Sequence, residues 1–266
     1  MGTGVHLPQQ KQKKIEMNRF YTRPENIREG QAWLDADACN HMKNVLRMQP
    51  GDEFVLCDGE GRTYLCSITS FASQSVVAKI LDMSKEYHEL PVKIVLYQGL
   101  PKKDKMELII QKAVELGASE IVPVMTKRCV AKLEDPKKEA RKLERWNAIA
   151  KSAAEQSRRD VIPVVRPVMS FADAIREMSS LSTGILPYEE AEDMKQTAEV
   201  LREAALGQSV GILIGPEGGL EGSEVQEAMA LGIRPVTLGR RILRTETAGL
   251  VTLSMLMYEI ELQEKK

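Results

Sequence analysis

A chain of 266 residues that is 43% hydrophobic can bury one large or two modest cores. Its net charge of −1 excludes a uniformly basic nucleic-acid binder, so any RNA contact must rest on local patches. No apolar run reaches membrane-spanning length, and the four cysteines (Cys39, Cys57, Cys66, Cys129) and three histidines show no metal-ligand spacing, which predicts reduced thiols in a cytoplasmic, metal-free protein.

Residues 1–17 begin with the polar MGTGVHLPQQKQKKIE, lack a signal-peptide core, and predict a disordered or expression-derived tail whose Lys11, Lys13 and Lys14 could touch RNA. Residues 18–90 have a β texture. A helical pattern at Asp35–Arg47 interrupts it, Pro50-Gly51-Asp52 is a turn, and Glu53–Cys57 is a strand. Asp58-Gly59-Glu60-Gly61 folds the chain back into Thr63–Ile68, and Ser75–Leu81 alternates as a further strand. Short strands with one helix suggest a small barrel. His41 reads as a helix residue packed on it rather than as a catalyst, and Arg47 and Arg62 are candidate phosphate contacts.

Beyond Pro91, strands and helices alternate as an α/β sheet requires. Val92–Tyr97 is a strand and Met106–Leu116 a helix, capped by Gly117 before the strand Ile121–Val124. A charged helix spans Pro136–Arg159, followed by a strand at Val161–Val165, a helix at Phe171–Met178, a strand at Gly184–Leu186 and a helix at Asp193–Ala205. The apolar run Val210–Ile214 has the length and branching of a buried strand. It ends in Gly215-Pro216-Glu217-Gly218-Gly219, before a helix at Glu221–Leu231 and the cap Gly232. Pro235–Leu238 is a short strand closed by Gly239, and the loop Arg240–Glu246 feeds the last helix, with Thr245 or Thr247 as its cap.

Two glycine loops on two neighbouring strands thus face the same side, where α/β sheets bind ligands. GPEGG is neither GxGxxG nor a P-loop, and Glu217 would repel pyrophosphate. Glycines let the backbone approach a small molecule closely, so either a phosphate-free cofactor or a tight turn without ligand fits the pattern.

Leu213–Gly219 (LIGPEGG) followed by Leu238–Ala248 (LGRRILRTETA) resembles the carboxy-terminal signature of the 16S ribosomal RNA uracil-N3 methyltransferases, the RsmE-type members of the SPOUT superfamily. His41–Asp52 is similar to the PUA-like amino-terminal domain of that family. The resemblance covers about residues 18–262. It implies a PUA-like RNA-binding β-barrel over 18–90, followed over 91–266 by an α/β SPOUT domain with a mostly parallel sheet and a deep trefoil knot. It also implies a homodimer, S-adenosylmethionine as cofactor, and 16S rRNA in the small ribosomal subunit as partner, methylated at N3 of a uridine near its 3′ end.

Carried over by motif, the cofactor contacts are Leu186, Pro187 and Glu189; Ile214, Gly215, Pro216, Glu217, Gly218 and Gly219; and Leu238, Gly239, Ile242, Leu243, Arg244, Thr245 and Ala248, with Glu246 beside them. Leu238, Ile242 and Leu243 read either as walls around adenine or as core. Uracil N3 is barely ionised at neutral pH, so Glu246 or Glu217 could take its proton if burial raises the carboxyl pKa. Arg244 could stabilise the anion, or Arg244 and Glu246 brace the loop as an ion pair. Lys102, Lys105, Lys127, Arg128, Arg158 and Arg159 are candidates to grip RNA phosphate at the cofactor mouth. Lys103, Cys129 and Arg240 depart from the usual pattern, which bears on RNA affinity more than on reaction type. The competing reading is a non-catalytic RNA-binding dimer that uses the knot domain as a scaffold. In the last helix Ala248, Val251, Met255 and Tyr258 follow helical spacing, with Leu250, Leu253, Leu256, Met257 and Ile260 widening the apolar surface beyond one face.

Overall fold

The computed structural model describes residues 17–83, 88–102, 104–130, 135–191 and 193–264. The expectations for Lys11, Lys13, Lys14 and Lys103 fall outside these residues. The described residues form two compact units, one running to Cys57 and resuming from Thr63 to Met83, the other made of Asp58–Arg62 and the remainder of the chain.

In the first unit, β1 (Arg19–Tyr21), β2 (Ile27–Arg28), β3 (Gln31–Leu34), β4 (Glu53–Cys57), β5 (Thr63–Phe71) and β6 (Val76–Met83) form one curled sheet in the order β1-β4-β5-β6-β3-β2. All its pairings are antiparallel except β1 with β4. Inward alternation places Leu34, Phe54, Leu56, Cys66, Ile68 and Val76 in one core with Met42 and Met48. The helix expected over Asp35–Arg47 is shorter and irregular. Asp35 caps α1 (Ala36–Asn40) by accepting the Ala38 N–H at 3.0 Å, and His41–Val45 then widens into a π-helical turn. Arg47 ends it in the left-handed region at φ 55°, where the Met48 N–H reaches back to the Met42 carbonyl. The His41 ring stands edge-on to Phe20, with centroids 5.9 Å apart, consistent with a packing role.

In the second unit the strands are β7 (Lys93–Gly99), β8 (Glu120–Met125), β9 (Val164–Val165), β10 (Met169–Ser170), β11 (Thr183–Pro187), β12 (Ser209–Ile214) and β13 (Arg234–Val236). They form a parallel sheet ordered β10-β8-β7-β12-β11-β13, with β9 also on β8. The helices are α2 (Lys105–Glu115), α3 (Pro136–Ser157), α4 (Phe171–Met178), α5 (Met194–Ala205), α6 (Gly222–Ala230) and α7 (Thr245–Glu264). Strand residues alternate between two cores. Ile94, Leu96, Ile121, Ile212 and Ile214 face α2, α3, α5 and α7, while Val95, Tyr97, Val122 and Leu213 face α4 and α6. Cover on both faces is why these strands read as unbroken apolar runs. Each fully buried Leu or Ile contributes about 1.5–3 kcal/mol to the fold.

Two expectations are corrected here. The strand predicted over Val161–Val165 shrinks to β9, because Val161 instead bridges Gly59 and Glu60. β12 and β13 are not neighbours, since β11 pairs with both and lies between them. Strand order depends on crossovers that local pattern does not encode.

Candidate active site

Because all the strands of this sheet run in one direction, the loops leaving β11, β12 and β13 emerge at one edge. Between them lies a cavity of about 940 Å³, within the range of small-molecule sites. The β11 loop contributes Leu186, Pro187, Tyr188, Glu189 and Ala191, and Met194 follows at the start of α5. The β12 loop contributes Ile214, Gly215, Pro216, Glu217, Gly219 and Leu220. Thr237 to Thr245, with Ala248, forms the third wall, and Lys105 reaches in from the start of α2.

The glycines have distinct tasks. A Cβ on Gly215 would lie 3.0 Å from the backbone of Gly219 and Leu220, so the turn closes only without one. Gly239, at φ +98°, has nothing within 4 Å of where a Cβ would stand and leaves open space beside the third wall. Gly218 does not line the cavity. Its Cβ position faces Arg128 at 3.4 Å, and the Arg128 guanidinium donates to the Gly218 carbonyl at 2.8 Å, so a larger side chain there would press on Arg128. Of Leu238, Ile242 and Leu243, all three line the cavity and none belongs to a core cluster, with Ile242 86% exposed.

Two polar clusters tie the loops together. At the base, buried Gln98, the penultimate residue of β7, donates through Nε2 to Thr245 Oγ1 at 2.9 Å and to the Gly99 carbonyl at 3.0 Å. Thr245 Oγ1 in turn donates to the Gly215 carbonyl at 2.6 Å, so this hydroxyl is committed inward. At the wall, Lys105 Nζ lies 3.2 Å from Glu217 and 3.1 Å from Glu246. Glu217 also accepts the Lys102 N–H at 3.0 Å.

This cluster sets the charge state of both carboxylates. Burial tends to raise the Glu217 pKa, but its own backbone N–H, the Lys102 N–H and Lys105 outweigh it and hold the group below the usual value. Glu246 is held low by its own backbone N–H, against desolvation, and by Lys105. Lys105 is held high by its hydrogen bond to Glu246, against desolvation, and by Glu217. Both carboxylates are therefore ionised at neutral pH and able to accept a proton, without the raised pKa that burial alone would give. Lys105, rather than Arg244, is the cation bonded to Glu246, and the Arg244 carbonyl instead accepts the N–H groups of Thr247 and Ala248 at 2.8 Å.

The basic candidates are dispersed. Lys102, Arg128 and Arg158 are exposed in the second unit, Arg158 as the left-handed cap of α3 at φ 60°. Arg62 is exposed in the 58–62 turn, and Arg47 is exposed in the first unit. Lys127 donates to Ser223 at 2.8 Å. Arg159 is not available to RNA: it is 5% exposed, ion-paired with Glu89, and donates to the carbonyls of Val114 and Ala118. A charge at a helix end is ambiguous in sequence when its partner is distant. Arg240 and Arg241, both exposed, also line the cavity. Their place between Gly239 and Ile242 is the sequence signal for both. No cluster of metal-ligating side chains and no helix long and apolar enough to cross a membrane occurs among the described residues.

A parallel α/β sheet with a three-loop cavity, joined to a curled β unit, defines the class: the chain matches an RNA methyltransferase domain over residues 88–257 and an RNA methyltransferase PUA domain over 34–81. Within that class it belongs to the ribosomal RNA small subunit methyltransferase E family. It is 38% identical to the Bacillus subtilis member, across 86% of this chain and 90% of that one. It is 33% identical to the Synechocystis member, across 90% and 76%. A crystal structure of the Neisseria gonorrhoeae member bound to S-adenosyl methionine superposes with a TM-score of 0.78 at 34% identity, covering 91% of this chain and 97% of that one. A putative methyltransferase of Legionella pneumophila, in complex with the same cofactor, gives 0.78 at 31%, covering 92% and 98%.

Proposed function

We infer that this protein transfers a methyl group from S-adenosylmethionine to 16S rRNA of the small ribosomal subunit, and we propose N3 of a uridine near the 3′ end as the acceptor. The observation that carries the reading is the cavity, walled largely by backbone-rich loops and bearing carboxylates where a pyrophosphate would be repelled. Leu186, Pro187, Gly215, Pro216, Gly219, Leu238, Gly239 and Leu243 would hold the cofactor, whose sulfonium supplies an activated methyl group. Alignment and exclusion of water are then the main work of the chain.

Glu246, held ionised by its own backbone N–H and by Lys105, takes the uracil N3 proton. Arg244, exposed on the cavity wall, stabilises the uracil anion left behind. Arg244→Ala is expected to lower kcat about 10²-fold with cofactor affinity little changed, as measured by single-turnover kinetics and calorimetry. The first unit and Arg47, Arg62, Lys102, Arg128 and Arg158 grip RNA phosphate, a preformed RNA surface suiting scattered patches. The active form is a cytoplasmic homodimer, and its carboxy-terminal domain, beginning near residue 91, carries the knot.

The test is methylation of isolated small subunits with labelled cofactor, followed by nucleoside mass spectrometry against N3-methyl and C5-methyl standards. N3-methyluridine is the expected product. A C5- or ribose-methylated product overturns the assigned position, and RNA binding without transfer returns the reading to a scaffold.

A further inference from the structure

We propose that Gln98 is a positioning residue that sets the shape of the cofactor cavity through the Thr245 hydroxyl. The inference rests on the cofactor reading above. Gln98 is fully buried near the end of β7 and does not line the cavity, yet through Nε2 it holds Thr245, the residue that bonds the facing loop. Its Nε2 donates to Thr245 Oγ1, and that hydroxyl donates to the Gly215 carbonyl, so one hydroxyl joins the first residue of the β12 loop to the first residue of α7.

The orientation of the amide follows from the hydrogen count. Thr245 has a single hydroxyl proton, given to Gly215 at 2.6 Å, so it can only accept from Gln98. The Gly99 carbonyl also needs a donor at 3.0 Å. The NH₂ group therefore faces both, and Oε1 is left buried with no hydrogen-bond partner. Native interiors rarely keep a buried polar atom unpaired. Here the opposite end of the same amide serves Thr245 and the Gly99 carbonyl together. A leucine or methionine would fill the space without an orphan oxygen, and would leave the Thr245 hydroxyl without the donor that holds it oriented toward the Gly215 carbonyl.

Close packing leaves the link little slack. A Cβ on Gly99 would fall 2.7 Å from the Pro216 nitrogen, so β7 and the β12 loop are in direct backbone contact beside Gln98. Losing the node frees the Gly215 carbonyl and the start of α7 to move separately, and the cofactor then has to order them on binding.

The experiment compares Gln98→Met, Thr245→Val and Thr245→Ser with the full-length wild type, using calorimetry with S-adenosylmethionine and amide hydrogen exchange over residues 215–219 and 239–248. Gln98→Met and Thr245→Val are expected to weaken cofactor binding about tenfold and to raise exchange in both loops, whereas Thr245→Ser keeps wild-type values. The double variant Gln98→Met/Thr245→Val should be no worse than either single one, since both remove the same node. Should Gln98→Met fail to fold, Gln98→Leu takes its place in the same measurements. Folded variants that bind within twofold of wild type, or losses that add in the double variant, overturn the proposal. A wild type that binds no S-adenosylmethionine overturns the cofactor reading itself.

Discussion

At the scale of single residues, the Lys105 cluster and the Gln98 node make different demands. Glu217 and Glu246, with pKa values held below the usual carboxylate range, stabilise the fold above that range, and the contribution is lost as pH falls through their folded values. Lys105, held above its usual value, contributes fully below that value and loses its contribution as pH rises from there through the raised folded value. Stability from the cluster should be level around neutrality and decline at both extremes. Lys105→Met should move the acid decline to higher pH, checked by melting temperature across a pH series and by carboxyl NMR titration. At Gly249 on α7, an added Cβ would stand 3.6 Å from the orphan Gln98 Oε1, 3.5 Å from Ile214 and 3.7 Å from Leu96, all ordinary contacts. Gly249→Ser should place a hydroxyl within reach of that oxygen. It should gain about 1 kcal/mol from the hydrogen bond, less about 0.5 kcal/mol for the poorer helix propensity of serine, raising Tm by about 1–2 °C more than Gly249→Ala. Differential scanning calorimetry of the two variants separates the terms.

At the scale of elements, α7 shows how far a helical pattern can be divided by eye. Leu253, Leu256 and Ile260 are buried in the core with Thr252, while Tyr258 is 63% and Leu262 47% exposed. Val251, Met255, Tyr258 and Leu262 follow one stripe at i, i+4, i+7 and i+11, the face on which the proposed homodimer would close. Tyr258→Glu should convert the dimer to a monomer of about 30 kDa, the mass of the 29.7 kDa chain, by light scattering. Long regular elements were legible from sequence: α4 matches its expected bounds, and α3, α5 and α6 differ by two residues or fewer at either end. Their caps explain this, since Asp135, Ser170 and Asp193 each accept a first-turn N–H. What local pattern could not supply is what distant partners decide. The π-turn after α1 depends on packing of Met42 in the first core, the burial of Arg159 on Glu89, and the fate of Glu217 and Glu246 on a lysine from another helix. The glycine loops announced a cavity, but their letters do not say that Gly218 faces Arg128 rather than the cavity, because adjacent loop residues point in different directions.

At the scale of the whole molecule, strand order sets when the cavity can exist. β11 pairs only with β12 and β13, both made after it, and β7 waits for β12 to cover its second edge from Ser209↔Lys93 to Ile214↔Gln98. A growing chain therefore leaves the ribosome with apolar strand edges unpaired, a state that invites aggregation and needs holding by other proteins. Such long-range pairing also slows closure. A chain ending at Leu206 should be digested throughout residues 91–206 by a limiting protease that spares the same segment in the full-length protein. Thr245, whose hydroxyl joins the walls, opens the final helix of the described chain. Translation thus has to pass Thr245 and the helix it opens before a methyl donor has anywhere to bind, and chains terminated before that helix would be inert rather than weakly active.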